Sequence, residues 1–541
     1  MFPMPLRKPR PPRLRALALL LAIGLAPQIR ASEREDLEQL RNTTMSLIQA
    51  LVEQGLLTRE KAAELLKKAE VRPSAPAAPQ TARTGPDGKP VVRVPYVSET
   101  VKTEMREQIK QEVLAQARRE RWGDPGTLPE WIERIRFEGD IRLRLQDELF
   151  DRTNTAAVFY QAQGAAGNPI YAPDLVNTTE DRTRLTLRAR FGLLAKVGEN
   201  VSAGVRIATG SLTGPASTSQ TLGGGNNNFN RYTVGLDRAY LRWQPTGWLQ
   251  IDGGRMPNPF FSTDLLWADD LGFDGVAATV KPRLNDRVVG FATIGAFPLQ
   301  ELESSRRDRW LTGVQVGAEW AVSEETRVKF GVAQYAFRAV EGVAEAAGSL
   351  GTTNYGISEY RRNLRQKGNT LFNIADPAAA APNNVLLGLA SRFRPFNVTG
   401  TIELAHFDPV FVSLTADYVK NLGFDRAEIR NRTGFDLEAK TAGYQTRLQV
   451  GNRAMRNAGD WQVFGAYRVL ERDAVLDGFT DTSWNLGGTN YKGWSVGGSY
   501  GIDRNAWMSA RWISTRALTY PGGPWAPFNV DVLQVELNGR F

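Results

Sequence analysis

The chain of 541 residues has no cysteine and a single histidine, His406. The missing thiols exclude disulfide frameworks, thiolate zinc sites, iron–sulfur clusters and cysteine nucleophiles. One imidazole leaves no multi-histidine metal centre, so neither a metal nor a cofactor is expected. After residue 31 no uninterrupted apolar run reaches the roughly 18 residues that a membrane-spanning helix needs. Charge of one sign is scarce as well. The formal balance is +9, from 67 basic against 58 acidic residues. Six of the basic ones (Arg7, Lys8, Arg10, Arg13, Arg15 and Arg30) lie in residues 1–31 with no acidic neighbour, which leaves 61 against 58. Much of the excess is therefore a property of the leader, and nucleic acid is not an expected partner.

That leader combines a basic start, an apolar stretch from Leu14 to Ala26 and a cleavage site after Ala31, the pattern of a secretory signal peptide over 1–31. Residues 32–70 read as a helical hairpin or short coiled coil. Leu37, Leu40, Thr44, Leu47 and Leu51 follow 3-4-3-4 spacing, and Gly55 and Thr58 separate the two helices. A Pro/Ala-rich linker follows over 71–95, too poor in large apolar groups to fold alone. Residues 96–132 read as a third helix and lead-in. The arm over 33–121 would lie in the periplasm, where it could touch the cell wall or a partner protein.

From residue 133 the apolar period changes from 3.6 to 2. Phe137, Gly139, Ile141, Leu143 and Leu145 alternate with Arg136, Glu138, Asp140, Arg142 and Arg144. Leu185, Leu187, Ala189, Phe191 and Leu193 alternate with Arg184, Thr186, Arg188 and Arg190, and the last segment, Leu533 to Phe541, repeats the pattern. About sixteen such segments follow one another. Two-residue turns such as Glu199-Asn200, Asn285-Asp286 and Glu324-Glu325 alternate with long loops, the largest over 342–392. An even count of strands with short turns at one end and long loops at the other predicts an all-β transmembrane barrel over 133–541. A soluble sandwich or propeller is the competing reading. It fits poorly with aromatics gathered toward strand ends, such as Trp461 and Tyr467, Trp494 and Tyr500, and Trp507 and Trp512.

Four stretches also resemble the Gram-negative putative porin family: LIQALVEQGLLTREKAAELLKKAE (47–70), RIRFEGDIRLRLQ (134–146), GRMPNPFFSTDLLWADDLGFDGVA (254–277) and the terminal phenylalanine. The third is the most specific. The resemblance implies an outer-membrane β-barrel porin with an N-terminal helical segment, surrounded by outer-membrane lipid. It also implies passive diffusion of small hydrophilic solutes or ions and no particular solute; a homotrimer and no enzymatic activity are expected alongside.

A barrel of this width holds water, and its polar face must line it. The expected pore-lining residues are Arg142, Arg144, Arg184, Arg188, Arg190, Arg206, Arg238, Arg242 and Arg255. The connection 261–272 is the expected constriction loop, with Asp264, Asp269, Asp270 and nearby Asp274 facing that basic wall. A modest anion preference follows from such a field. The same aspartates could instead pin the loop, or bind calcium, although their irregular spacing matches no calcium loop. The loop at 342–392 could be a lid or a second constriction. Two other readings compete with the channel: a structural protein tethering the envelope through its arm, and a hydrolase built on His406 and Ser413.

Overall fold

Alternating segments become strands because one side of each is apolar and the other polar, so both sides need different solvents. The computed structural model describes residues 134–162, 169–379, 385–518 and 528–541. The signal peptide, helical hairpin, linker and third helix expected over 1–132 lie outside the described residues. Sixteen long strands follow in order. The first five are β1 (Ile135–Phe150), β2 (Arg182–Lys196), β3 (Val201–Thr209), β4 (Val234–Thr246) and β5 (Leu249–Pro257). Next come β6 (Gly272–Val280), β7 (Val288–Gln300), β8 (Arg309–Ala321), β9 (Thr326–Arg338) and β10 (Pro395–Phe407). The last six are β11 (Val410–Asn421), β12 (Ala442–Gly451), β13 (Trp461–Leu470), β14 (Tyr491–Asp503), β15 (Ala506–Ala517) and β16 (Asn529–Arg540). Each pairs antiparallel with its neighbours in sequence, and β16 pairs back onto β1, so the sixteen strands form a closed barrel.

The two faces differ as the sequence requires. On β8, Trp310, Val314, Val316 and Trp320 are exposed outward, whereas Arg309, Leu311 and Gln315 are buried on the inner side. Ten residues separate the two tryptophans. At 3.3 Å per residue and a tilt near 40°, that is about 25 Å of height, the thickness of a barrel's apolar band. Aromatic pairs also face outward on β13 and β14, with Trp461 opposite Tyr500 and, six residues along, Tyr467 opposite Trp494.

Closure depends on the last residue. The Phe541 N–H donates to the Gly139 carbonyl at 3.1 Å, and the Gly139 N–H donates back to Phe541 at 3.0 Å. The Phe541 ring lies over Gly139 so closely that a Cβ there would sit 2.4 Å from it.

Turns at one end are short, as at 322–325, 408–409 and 504–505, and connections at the other end are long. Two of the long ones interlock. The Lys367 Nζ donates to the Gly487 carbonyl at 2.7 Å, and the Asn369 amide donates to the Arg472 and Val475 carbonyls at 2.7 and 2.8 Å. Thr370 Oγ1 donates to Asp473 at 2.6 Å, and the Tyr360 hydroxyl donates to Asp477. Burial pushes the Lys367 ammonium down to about 7 and the Asp477 carboxyl up to about 6. The described parts of the loop at 339–394 are thus packed together and joined to the loop at 471–490.

Candidate functional site

The connection from β5 to β6, residues 258–271, begins with an aromatic anchor. The Phe260 ring packs edge-on against Tyr335 at 5.0 Å and against Phe297 at 6.1 Å. Gly313 leaves the room for it, since a Cβ there would lie 2.7 Å from the Phe260 ring. Trp267 closes the cluster, 5.3 Å from Tyr335 and 5.2 Å from Phe273. The Gln315 amide on β8 then pairs with the Phe261 backbone, accepting from its N–H and donating to its carbonyl, both at 2.7 Å.

From there the loop reaches strands far around the barrel. Thr263 donates to Asp417 on β11. Asp264 accepts from Arg468 on β13 at 2.7 Å and from Gln445 on β12 at 2.9 Å. Asp270 accepts from Arg190 at 3.0 Å and Arg188 at 3.5 Å on β2, and from Thr218 Oγ1 at 2.9 Å. β2 and β11 stand on nearly opposite sides of the closed sheet, so one short loop touches both only by crossing the interior.

The four expected loop aspartates therefore divide. Asp264 and Asp270 are pins. Burial opposes their charge, but Arg468 and Gln445 in one case, and Arg188, Arg190 and Thr218 in the other, hold both carboxyls below the usual range. Asp269 differs: it is exposed to the interior, and no hydrogen bond or ion pair to it occurs among the described residues. Crowding by the surrounding protein, together with Asp264, Asp481 and Asp270, pushes its carboxyl up to about 7. Asp274 is on β6 rather than in the loop, and it accepts from Arg255 at 2.7 Å.

The arginines of the early strands sit on the inner face, but they are not bare. Arg144 pairs with Glu536 at 2.6 Å, and Arg142 lies 3.9 Å from the same carboxylate while donating to Ser219 at 2.7 Å. Arg188 and Arg190 share Asp140 at 2.9 and 2.7 Å. Arg184 pairs with Glu148 and Arg242 with Asp252, both at 2.7 Å. Arg206 pairs with Asp237, the extra residue of a bulge that puts both Asp237 and Arg238 on the inner side. Positive charge without a carboxylate at ion-pairing distance among the described residues is found at Arg238, whose buried Nε has no hydrogen-bond partner, at Arg447, 3.9 Å over the Phe464 ring, and at Arg511, which donates to Gln534 at 3.0 Å.

These groups meet around a cavity of about 290 Å³, bounded by the loop on one side and by β1, β2 and β12–β16 on the other. Asp481, from the loop at 471–490, joins Asp269 on the acidic side. Sequence reading missed Asp481, Thr218 and Ser219, which sit in loops with no periodic pattern. It also missed the neutralising role of Asp140 and Glu536, which were visible on the polar face but have partners only after strand pairing. His406 stands at the short-turn rim beside Thr326, at 3.2 Å, and makes no hydrogen bond to Ser413.

Comparison with known proteins follows the same line. The family model described as putative porin matches residues 41–541. No curated protein sequence matches the chain. Among solved structures, the chain is similar to OprB of Pseudomonas putida at 12% identity and a TM-score of 0.43, covering 78% of this chain and 97% of that one. It is also similar to the trimer form of OmpT of Vibrio cholerae, at 10% identity and TM-score 0.37, covering 75% and 99%. A third similar structure is a triple mutant of Rhodopseudomonas blastica porin, at 11% identity and TM-score 0.35, covering 75% and 100%. The family model spans all sixteen strands of the closed barrel, and the chain belongs to the putative porin family of outer-membrane barrels.

Proposed function

We propose that this outer-membrane porin is a water-filled channel for small hydrophilic solutes and ions, narrowed by the loop at 258–271. The observation that carries this reading is the loop's crossing from Asp417 and Arg468 to Arg190, which leaves passage only beside it. At that level the expected basic wall becomes a basic quadrant. Arg447 and Arg511 face Asp269 and Asp481 across the cavity, and this opposition sets up a transverse field. The Asp269 carboxyl is held up to about 7, which weakens the negative side near neutral pH, so the arginines prevail and anions are modestly favoured.

In this reading the long loops face outward, the short turns and the arm over 33–121 face the periplasm, and the protein assembles as a homotrimer. The heptad spacing of Leu37 to Leu51 permits a trimeric arm without specifying the number of chains, and cross-linking of detergent-extracted protein tests the trimer. The channel itself is tested by planar-bilayer recording. Stepwise ohmic openings, with a reversal potential of anionic sign under a salt gradient, are expected. Absence of openings from folded, inserted protein would sink the reading.

A further inference from the structure

The charges lining the narrow cavity do not all belong to pairs. Arg142 and Arg144 share the single carboxylate of Glu536, at 3.9 and 2.6 Å, which leaves one positive charge in excess there, and Arg188 lies 3.5 Å from Asp270. Once these are set aside, two guanidinium groups and two carboxylates remain: Arg447 and Arg511 on the wall, Asp269 and Asp481 on the loops. None of the four has an oppositely charged side chain at ion-pairing distance among the described residues, although all line one cavity.

The fold keeps them apart. Arg447 sits 3.9 Å over the Phe464 ring, and Arg511 is held by the Gln534 amide through both Nε and Nη2. Asp481 Oδ1 accepts the backbone N–H groups of Ser483 and Trp484, at 2.8 and 3.0 Å, which fixes its direction. Asp269 is carried on a loop pinned on either side by Asp264 and Asp270. The Ala268 N–H donates to the Phe479 carbonyl at 2.9 Å, so the two acidic loops are tied to each other. Rigid anchoring on both sides prevents the collapse into ion pairs that free side chains would undergo.

A simple anion gains from the arginines and loses to the aspartates, and a simple cation does the reverse. A solute carrying both signs gains from both. Resting on the channel reading, we infer that this constriction selects small zwitterions, the α-amino acids, taking the carboxylate on Arg447 and Arg511 and the ammonium on Asp269 and Asp481.

The remaining lining suits the class. Ser219, Ser499, Ser509 and Gln462 present hydroxyl and amide groups, so glycine, alanine, serine or glutamine fits better than a large apolar side chain. An arriving ammonium also favours the ionised form of Asp269, whose carboxyl otherwise sits up near 7. In a wet lumen each new ion pair is worth only a few-fold, so the two together raise occupancy roughly fivefold. Binding that weak leaves the site far from saturation and speeds passage rather than blocking it.

Liposome swelling with the full-length protein tests the inference, using L-alanine against lactamide, an uncharged solute of the same size. Alanine is expected to enter roughly fivefold faster, a ratio that reflects two weak ion pairs. The ratio should fall toward one in Asp269→Asn/Asp481→Asn and in Arg447→Gln/Arg511→Gln. Equal rates in the wild type overturn the zwitterion inference while leaving the channel standing. So does a ratio that both double variants preserve. No swelling with arabinose or lactamide would instead mean that the channel reading itself has failed.

Discussion

Arg468, with no solvent-exposed surface, holds Asp264 at 2.7 Å and joins the loop between β5 and β6 to a strand on the far side of the barrel. The same guanidinium donates to Gln445 at 2.6 Å and stacks over Trp484 at 4.4 Å, so one side chain links the wall, the constriction loop and the loop at 471–490.

Arg468→Gln should therefore free the loop. Removing one partner of a buried pair leaves a stranded charge, a loss of about 3–5 kcal/mol in the docked state. Single-channel records should show a larger and noisier conductance, with the loop newly sensitive to protease. Adding Asp264→Asn should recover part of the stability, because the stranded charge is gone. A quiet, unchanged conductance in Arg468→Gln would contradict the crossing.

Ion selectivity should depend on pH through Asp269. Its carboxyl is up near 7 because of crowding first and then the charges of Asp264, Asp481 and Asp270, against a smaller opposite pull from Arg447. Below that pH it is neutral and the uncapped arginines favour anions. As pH rises through 7 it ionises, and the anion preference should weaken. Reversal potentials measured between pH 5.5 and 8.5 should trace this change, and Asp269→Asn should flatten it (a range set about the ordinary span of one titration).

The outward and inward faces should respond oppositely to charge. Val316 lies between Trp310 and Trp320 on the outer face of β8, near the middle of the apolar band. Val316→Arg should cost about 2–4 kcal/mol in urea titrations of the barrel in lipid vesicles. Gln244→Arg, on the water-facing side of β4, should change stability by no more than about 0.5 kcal/mol.

Closure should depend on the space above Gly139. A Cβ there meets the Phe541 ring at 2.4 Å and the Arg190 carbonyl at 2.8 Å. Gly139→Val should lower barrel stability by about 1–3 kcal/mol through overpacking and reduce the folded fraction seen as a heat-shifted band on gels. A folded fraction equal to wild type would show that the ring swings away at no cost.

The barrel was legible in the chain because its code is local. Period-two alternation, as in Phe137 to Leu145, assigns each side chain to lipid or water without reference to any distant residue. The expected count of about sixteen strands therefore matches the sixteen observed. The constriction loop was legible in outline for a similar reason, since its apolar residues and aspartates cluster between two alternating segments. Its roles were not. Asp264, Asp269 and Asp270 look alike in sequence, yet Arg468 and Arg190 make pins of two, while the third faces water. Asp481 joins them from more than two hundred residues away. Likewise the arginines of the early strands read as a bare basic wall until strand pairing set Glu536 beside Arg144 and Asp140 beside Arg188 and Arg190. The sequence alone determined which face of each strand meets lipid, because that choice depends on residue type and period. Only the tertiary structure decided which charges are spent on one another and which remain for a solute, because that depends on distances across a closed sheet.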